Sequence, residues 1–316
     1  MIELLENCKL CPRECGINRT QKIGFCGIGK NVVVAKSGLH FFEEPCLTGT
    51  TGSGTIFFAG CNLRCLYCQN YKISTFREEN VDNSCELDNI IRDEDGFICK
   101  FSKISNEELA SQMLLLQEKG ANNINLVTAF SSVLQIIEAI KIARNMGLTI
   151  PIVYNSSGYE SEKTIELLKG YIDIYLPDFK YYYDELALKY SNVKNYKDIV
   201  SKAIKKMIDQ VGQNEFDDNG LMKKGVIIRH LILPNHIQNT KQVLKYIKNN
   251  YGKNVYISIM AQYFPEHDAC KYEDLNRKIT KEEYDEVSKF VDLCGFTNGF
   301  IQDFSDEDEH KYVPNF

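Results

Sequence analysis

The chain has 316 residues, and its 37 lysines and arginines against 43 aspartates and glutamates leave a formal net charge of -6. An acidic balance without any Lys/Arg-rich run offers no footprint for a phosphate backbone and argues against nucleic-acid binding. With 44% hydrophobic and 25% charged residues, the composition is that of a globular protein and excludes a disordered or fibrous chain.

The first residues, Met1 to Asn7, contain neither a basic n-region nor an apolar h-region, and nowhere do roughly 18 apolar residues run together. No membrane association is expected, and a cytoplasmic location is. In a reducing compartment, 12 cysteines, several of them two or three residues apart, point to metal binding or chemistry rather than to disulfides.

The chain opens with Cys8, Cys11, Cys15 and Cys26 in Gly-containing sequence that lacks helical periodicity. This predicts a small cysteine-rich metal-binding region over residues 1–50. Four thiolates suit either tetrahedral Zn²⁺ or a fully ligated iron–sulfur cluster, and the spacing leaves both open. The apolar runs Asn31-Val-Val-Val-Ala and Leu39-His-Phe-Phe predict a short β segment packing this region on the main body.

From residue 54 onward, strands and helices alternate. Strands are predicted at Gly54-Thr-Ile-Phe-Phe-Ala, Asn123-Ile-Asn-Leu-Val-Thr, Ile150-Pro-Ile-Val-Tyr, Tyr171-Ile-Asp-Ile-Tyr-Leu, Val226-Ile-Ile-Arg-His-Leu-Ile-Leu and Val255-Tyr-Ile-Ser-Ile-Met. Ser105 with Glu108 and Thr280 with Glu283 read as capping boxes, and Gly120, Gly147 and Gly295 stand where helices should stop. Six strand–helix units predict an α/β fold, a partial (β/α)6 TIM-like barrel over residues 51–302 rather than the complete eight. Residues 76–104 are polar and acidic without a period and read as a surface insertion; residues 303–316 read as an acidic C-terminal tail.

The chemistry is concentrated in Cys61-Asn-Leu-Arg-Cys65-Leu-Tyr67-Cys68, directly after the first predicted barrel strand. Three thiolates on one loop hold three irons of a [4Fe–4S] cluster and leave the fourth without a protein ligand, open to a substrate or cofactor. An electron-carrying or metal-binding scaffold is the rival reading, and it would normally supply a fourth ligand.

This loop, with Tyr67 before its last cysteine, resembles the signature of the radical S-adenosylmethionine (radical SAM) enzymes. Cys8-Lys-Leu-Cys-Pro-Arg-Glu-Cys, Gly24-Phe-Cys-Gly, Ile56-Phe-Phe-Ala-Gly-Cys-Asn-Leu, Tyr171-Ile-Asp-Ile-Tyr-Leu-Pro-Asp-Phe-Lys and Gly225-Val-Ile-Ile-Arg-His-Leu together resemble the branch related to pyruvate formate-lyase activating enzyme. The resemblance implies a [4Fe–4S] cluster on Cys61, Cys65 and Cys68, with S-adenosylmethionine chelating the open iron. It also implies reductive cleavage to a 5′-deoxyadenosyl radical and hydrogen abstraction from a substrate. The glycine of a glycyl-radical enzyme is the favoured substrate, with another peptide or a small molecule as the alternative. A flavodoxin or ferredoxin is implied as reductant.

The residues implied at the cofactor are Tyr67, Asn155 toward the ribose, Asp178 and Lys180 as an Asp-x-Lys element, and Arg229 toward the carboxylate, with Gln262 closing the sixth strand. One element departs from the family: Thr128-Ala-Phe-Ser-Ser stands where many members carry Gly-Gly-Glu, so recognition of the amino group is unassigned. The remaining readings are plainer. His230 reads as a packed, hydrogen-bonded residue, Tyr181-Tyr-Tyr183 as a partly exposed aromatic loop, and Cys46, Cys85, Cys99, Cys270 and Cys294 as small apolar residues or surface thiols.

Overall fold

The computed structural model describes residues 2–78, 98 and 100–304; Cys85, Cys99 and the acidic tail from residue 305 lie outside the described residues. Among the described residues there are ten strands: β1 (Val32–His40), β2 (Ser53–Phe58), β3 (Ser102–Ile104), β4 (Ile124–Val127), β5 (Ile152–Ser156), β6 (Ile174–Pro177), β7 (Glu215–Phe216), β8 (Met222–Leu231), β9 (Tyr256–Met260) and β10 (Gly299–Ile301). They form a sheet in the order β10-β9-β8-β6-β5-β4-β2-β1-β3, with β7 pairing β8. The run from β2 through β4, β5, β6, β8 and β9 to β10 is parallel throughout. Helices cross over between successive members, as expected for a partial (β/α) barrel. The six predicted barrel strands are all present. β10 adds a parallel strand that the sequence hid, because three residues carry no readable period.

Helix boundaries follow their caps. Ser105 and Glu108 form a capping box on the helix Asn106–Glu118, Thr280 and Glu283 form another on Lys281–Cys294, and Gly295 closes the latter in a left-handed conformation. No helix among the described residues is long and apolar enough to cross a membrane.

The period of two along each strand divides the core. Tyr154, Tyr175 and Ile228 face the helices and pack with Met113, Ile136, Ile204 and Leu244. Their neighbours Val153, Ile174, Leu176 and Ile227 face the other way, into the barrel, where they meet Cys46 and Leu47. Each such side chain contributes roughly 1.5–3 kcal/mol when fully buried. Cys46 is therefore an interior residue: the helix Pro45–Thr48 enters the barrel from the N-terminal ends of its strands and floors it.

Two expectations are corrected. The apolar runs around residues 32–40 are one strand of the main sheet, β1, antiparallel to β2 across the boundary expected at residue 50. The described ends of the 76–104 segment are also not a surface loop. Ile98 is fully buried, Phe101 stacks on Phe76 at 4.3 Å, β3 pairs with β1, and Glu78 accepts from Gly29 N at 2.6 Å. A strand of three residues between polar flanks gives no sequence signal, although its pairing satisfies the free edge of β1.

The N-terminal cysteine region is fastened to the barrel by one buried cation. Arg19 donates to the carbonyls of Ile28, Gly29 and Ser131 at 3.1, 2.6 and 2.7 Å. Leu5, Cys8 and Leu10 pack against Leu134 beside it.

Candidate active site

The three-cysteine loop leaves the end of β2 through Gly60, whose φ of +80° and whose close approach to Cys26 O and Ile28 both require a residue without Cβ. From there the loop is held by backbone bonds. Cys61 N donates to Cys26 O at 3.2 Å, and Arg64 N and Leu66 N donate to Ser191 O and Tyr190 O at 3.1 and 2.8 Å. The latter two acceptors are orphan carbonyls at the end of the helix Asp184–Ser191, so the loop caps that helix while the helix fixes the loop. Arg64 reaches back to Cys61 O and Leu63 O, both at 2.7 Å, and lies 4.3 Å over the Phe25 ring.

Each thiol has a polar hydrogen beside it. Leu63 N donates to Cys61 Sγ at 3.4 Å, Ser191 Oγ lies 3.0 Å from Cys65 Sγ, and Ser74 Oγ lies 3.3 Å from Cys68 Sγ. Burial, and then the neighbouring Cys65, push Cys61 up to about 12 and Cys68 up to about 11. The loop therefore keeps its protons until a metal displaces them, the usual coupling of metal binding to proton release. Among the described residues no group of three or more His, Cys, Asp or Glu side chains is drawn into a closed metal-holding arrangement. The donor set nonetheless fits an iron–sulfur cluster by its chemistry: three sulfurs on one loop, in mutual electrostatic contact, each beside a backbone N–H or a hydroxyl able to donate.

Cys65 and Cys68 form one end of a cavity of about 660 Å³ running down the barrel. Tyr67, Asn155, Asp178, Lys180, Arg229 and Gln262 line the same cavity, so these six expected residues meet the two cysteines in one place, while Cys61 sits on the loop outside its wall. Asp178 organises the charges. Lys180 Nζ donates to its Oδ2 at 2.6 Å and Arg229 Nε to its Oδ1 at 3.0 Å. Burial raises the Asp178 carboxyl, but these two cations outweigh it and hold the group below its usual range. Burial likewise opposes the Lys180 charge, and Asp178 and Cys65 more than restore it.

Arg229 is committed to protein partners: besides Asp178 it donates to Asn155 Oδ1 at 2.6 Å and approaches Glu43 Oε2 at 3.3 Å. Lys180, with one of its three donors on Asp178, is the better-placed cation for a ligand carboxylate. Tyr67 is buried, and its hydroxyl meets that of Tyr181 at 2.6 Å. Tyr181 is itself fully buried while Tyr182 and Tyr183 are half-buried, so the expected partly exposed aromatic loop holds for two of its three rings. His230 is a packed residue, its Nδ1 2.6 Å from Phe179 O and its Nε2 2.9 Å from Thr240 Oγ1. Thr128, at the place of the expected Gly-Gly-Glu, holds φ of +60°, a strained conformation for a β-branched residue.

The four N-terminal cysteines gather apart from the cavity. Cys26 feels Cys8 and Cys15, and Cys11 feels Cys26, Glu160 and Cys8. Burial pushes Cys11 up to about 12. An all-sulfur set suits Zn²⁺ and an iron–sulfur cluster equally.

Sequence reading missed Glu43, Glu44, Asn125 and Ser191. A signal existed for Asn125, an amide inside an apolar strand, and for the paired glutamates ahead of Pro45. None existed for Ser191, which reaches the cysteine loop through the fold alone.

A model of the Radical SAM superfamily matches residues 55–215, half of the chain. The uncharacterised protein MJ0674 of Methanocaldococcus jannaschii is 32% identical over 295 residues, covering 92% of this chain and 75% of that protein. Among solved structures, the FeFe-hydrogenase maturase HydG from Carboxydothermus hydrogenoformans aligns with a TM-score of 0.50 at 16% identity, over 79% of this chain and 52% of its own. A domain of pyruvate-formate lyase-activating enzyme from Bacteroides vulgatus aligns with a TM-score of 0.38 at 12% identity, over 54% of this chain and 93% of that one. The chain spans about half the length of the HydG structure it matches.

Proposed function

The chain belongs to the radical SAM superfamily, whose members use a [4Fe–4S] cluster and S-adenosylmethionine, and on that premise we propose that it cleaves S-adenosylmethionine reductively and abstracts hydrogen from a substrate held in the barrel. The observation that carries this reading is the shared wall: the cysteine loop and the Asp178, Lys180 and Arg229 cluster face one cavity. Cys61, Cys65 and Cys68 would hold the cluster, which when bound supplies the electron for cleavage to methionine and a 5′-deoxyadenosyl radical.

The protein's own groups do the rest. Lys180 offers two free donors and a charge to the methionyl carboxylate, and Asp178 fixes the ammonium's position. Asn155, held through its Oδ1 by Arg229, keeps its amide N–H groups for the ribose.

The motifs shared with the activating-enzyme branch support the glycine of a glycyl-radical enzyme as hydrogen donor, with flavodoxin or ferredoxin as reductant. A compact substrate is the second reading, favoured by the cavity volume, which lies in the range of roughly 300–1,000 Å³ usual for small-molecule sites. The deciding experiment is anaerobic reconstitution and reduction with S-adenosylmethionine. Formation of 5′-deoxyadenosine that is lost in Cys65→Ala is expected, and yields no higher than that control would sink the proposal.

A further inference from the structure

Away from the cysteine loop the cavity ends on Glu43 and Glu44, which the turn after β1 carries into the barrel ahead of the helix Pro45–Thr48. Glu43 is partnered by Arg229 at 3.3 Å and by Asn125 Nδ2, which donates to its Oε1 at 2.9 Å. Glu44 is different. It is 8% exposed and lines the cavity, where the Ser258 hydroxyl serves its carboxyl, but its Oε2 is buried with no hydrogen-bond partner. Asn125, its Nδ2 engaged by Glu43, also leaves its Oδ1 buried without a donor. A buried acceptor without a donor is a cost that a donor-bearing ligand removes. Only Glu44 of the two belongs to the cavity wall, and a carboxylate there with an acceptor to spare is complementary to a ligand that brings an N–H donor.

Charge points the same way. The buried and half-buried wall carries the carboxylates of Glu43, Glu44 and Asp178 against the two cations Lys180 and Arg229. Both cations are engaged, Lys180 with Asp178 and Arg229 with Asp178 and Glu43. With all three carboxylates ionised the set is one positive charge short; burial pushes Glu43 and Glu44 toward their neutral forms against the pull of Arg229, a cost that a bound cation would remove.

We propose that the barrel floor is a subsite for a substrate bearing a primary ammonium group, with Glu44 as its carboxylate partner. The inference rests on the reading of this cavity as the substrate chamber of a radical enzyme. An ammonium brings three donors and one positive charge and so answers both shortages. A hydroxyl would bring a donor without the charge, and a carboxylate would add a fourth negative group to the wall.

The test uses the reconstituted protein with its cluster oxidised and S-adenosylmethionine in excess, so that nothing turns over. n-Butylammonium, n-butanol and butanoate are titrated by ligand-observed NMR against the native chain and Glu44→Gln. The ammonium is expected to bind at least about tenfold more tightly than the alcohol, with butanoate weakest, and Glu44→Gln should erase that preference. Equal binding of ammonium and alcohol, no ammonium binding, or a preference that survives Glu44→Gln overturns the proposal. A Glu44→Gln effect confined to S-adenosylmethionine affinity also overturns it, because Glu44 would then serve the cofactor's amino group. Should Glu44→Gln not fold, the three probes on the native chain still decide. The same titrations without S-adenosylmethionine read the subsite even if the chain cleaves none, so the two failures are told apart.

Discussion

Cys65 Sγ lies 3.0 Å from the hydroxyl of Ser191, a residue 126 positions further along the chain. The contact continues from Ser191 Oγ to Tyr181 at 2.7 Å and from Tyr181 to Tyr67 at 2.6 Å, all buried. With Cys65 as a thiolate on the proposed cluster the sulfur would have no proton to give, and the row would run one way: Tyr67 donating to Tyr181, Tyr181 to Ser191, and Ser191 to the sulfur. Hydrogen bonds to cluster sulfurs raise the reduction potential by stabilising the more negative, reduced state.

Ser191→Ala removes the last donor of that row and keeps the helix residue. The midpoint potential of the reconstituted cluster is expected to fall by about 40 mV, the one-electron equivalent of about 1 kcal/mol, with iron content unchanged. Potentiometric titration followed by electron paramagnetic resonance reads it; an unchanged or higher potential would show that Ser191 does not donate to the sulfur.

Lys180 is the test of the cofactor's carboxylate. Lys180→Met keeps the aliphatic stem and leaves Asp178 paired with Arg229. The dissociation constant of S-adenosylmethionine should rise between about tenfold and a hundredfold, the loss of one charge-assisted hydrogen bond. Equilibrium binding to the oxidised protein measures this without turnover, and an affinity within twofold of the native chain would remove Lys180 from the site.

His230 makes folding stability depend on pH. Burial lowers its pKa from 6.5 to about 4, and the bonds to Phe179 O and Thr240 suit the neutral ring. The unfolded chain binds the proton first as pH falls, so this contribution is full above pH 6.5 and erodes between 6.5 and 4. The difference amounts to about 3 kcal/mol over the whole window and about 2 kcal/mol between pH 7 and pH 5. Urea unfolding at the two pH values should show that extra loss in the native chain and not in His230→Gln. Parallel losses in both would mean that His230 does not titrate as described.

The parts of this molecule that repeat were legible in its sequence, and the parts that close a contact over distance were not. Capping boxes, six apolar strands and the cysteine spacing are local patterns, and each is where the residues predict it. Because inward positions alternate along strands, Asn155, Asp178 and Arg229 could be placed at strand ends without knowing their partners. The paired glutamates ahead of Pro45 stand out locally, but that Glu43 and Glu44 reach the cavity depends on how a turn enters the barrel, and Ser191 reaches the loop only because of where a helix ends, with no local signal at all. β3 and β10 were invisible for another reason. At three residues each, they exist because a neighbouring edge needs hydrogen bonds, not because of their own propensity.

Gly158 ties the barrel loops to the charged cluster. Its φ is +75°, and a Cβ there would collide with the carbonyl oxygen of Asp178, the residue whose carboxylate holds Lys180 and Arg229. Two penalties coincide in Gly158→Ala: a left-handed alanine and a displaced strand end. Together they should destabilise the fold on the order of 2–4 kcal/mol. Because the backbone that must yield is that of Asp178, the variant should also weaken S-adenosylmethionine binding, although it touches no ligand. Thermal unfolding and equilibrium binding on one preparation check both effects. A melting temperature within a degree of the native chain would show that the loop relaxes freely and that Gly158 does not set the position of Asp178.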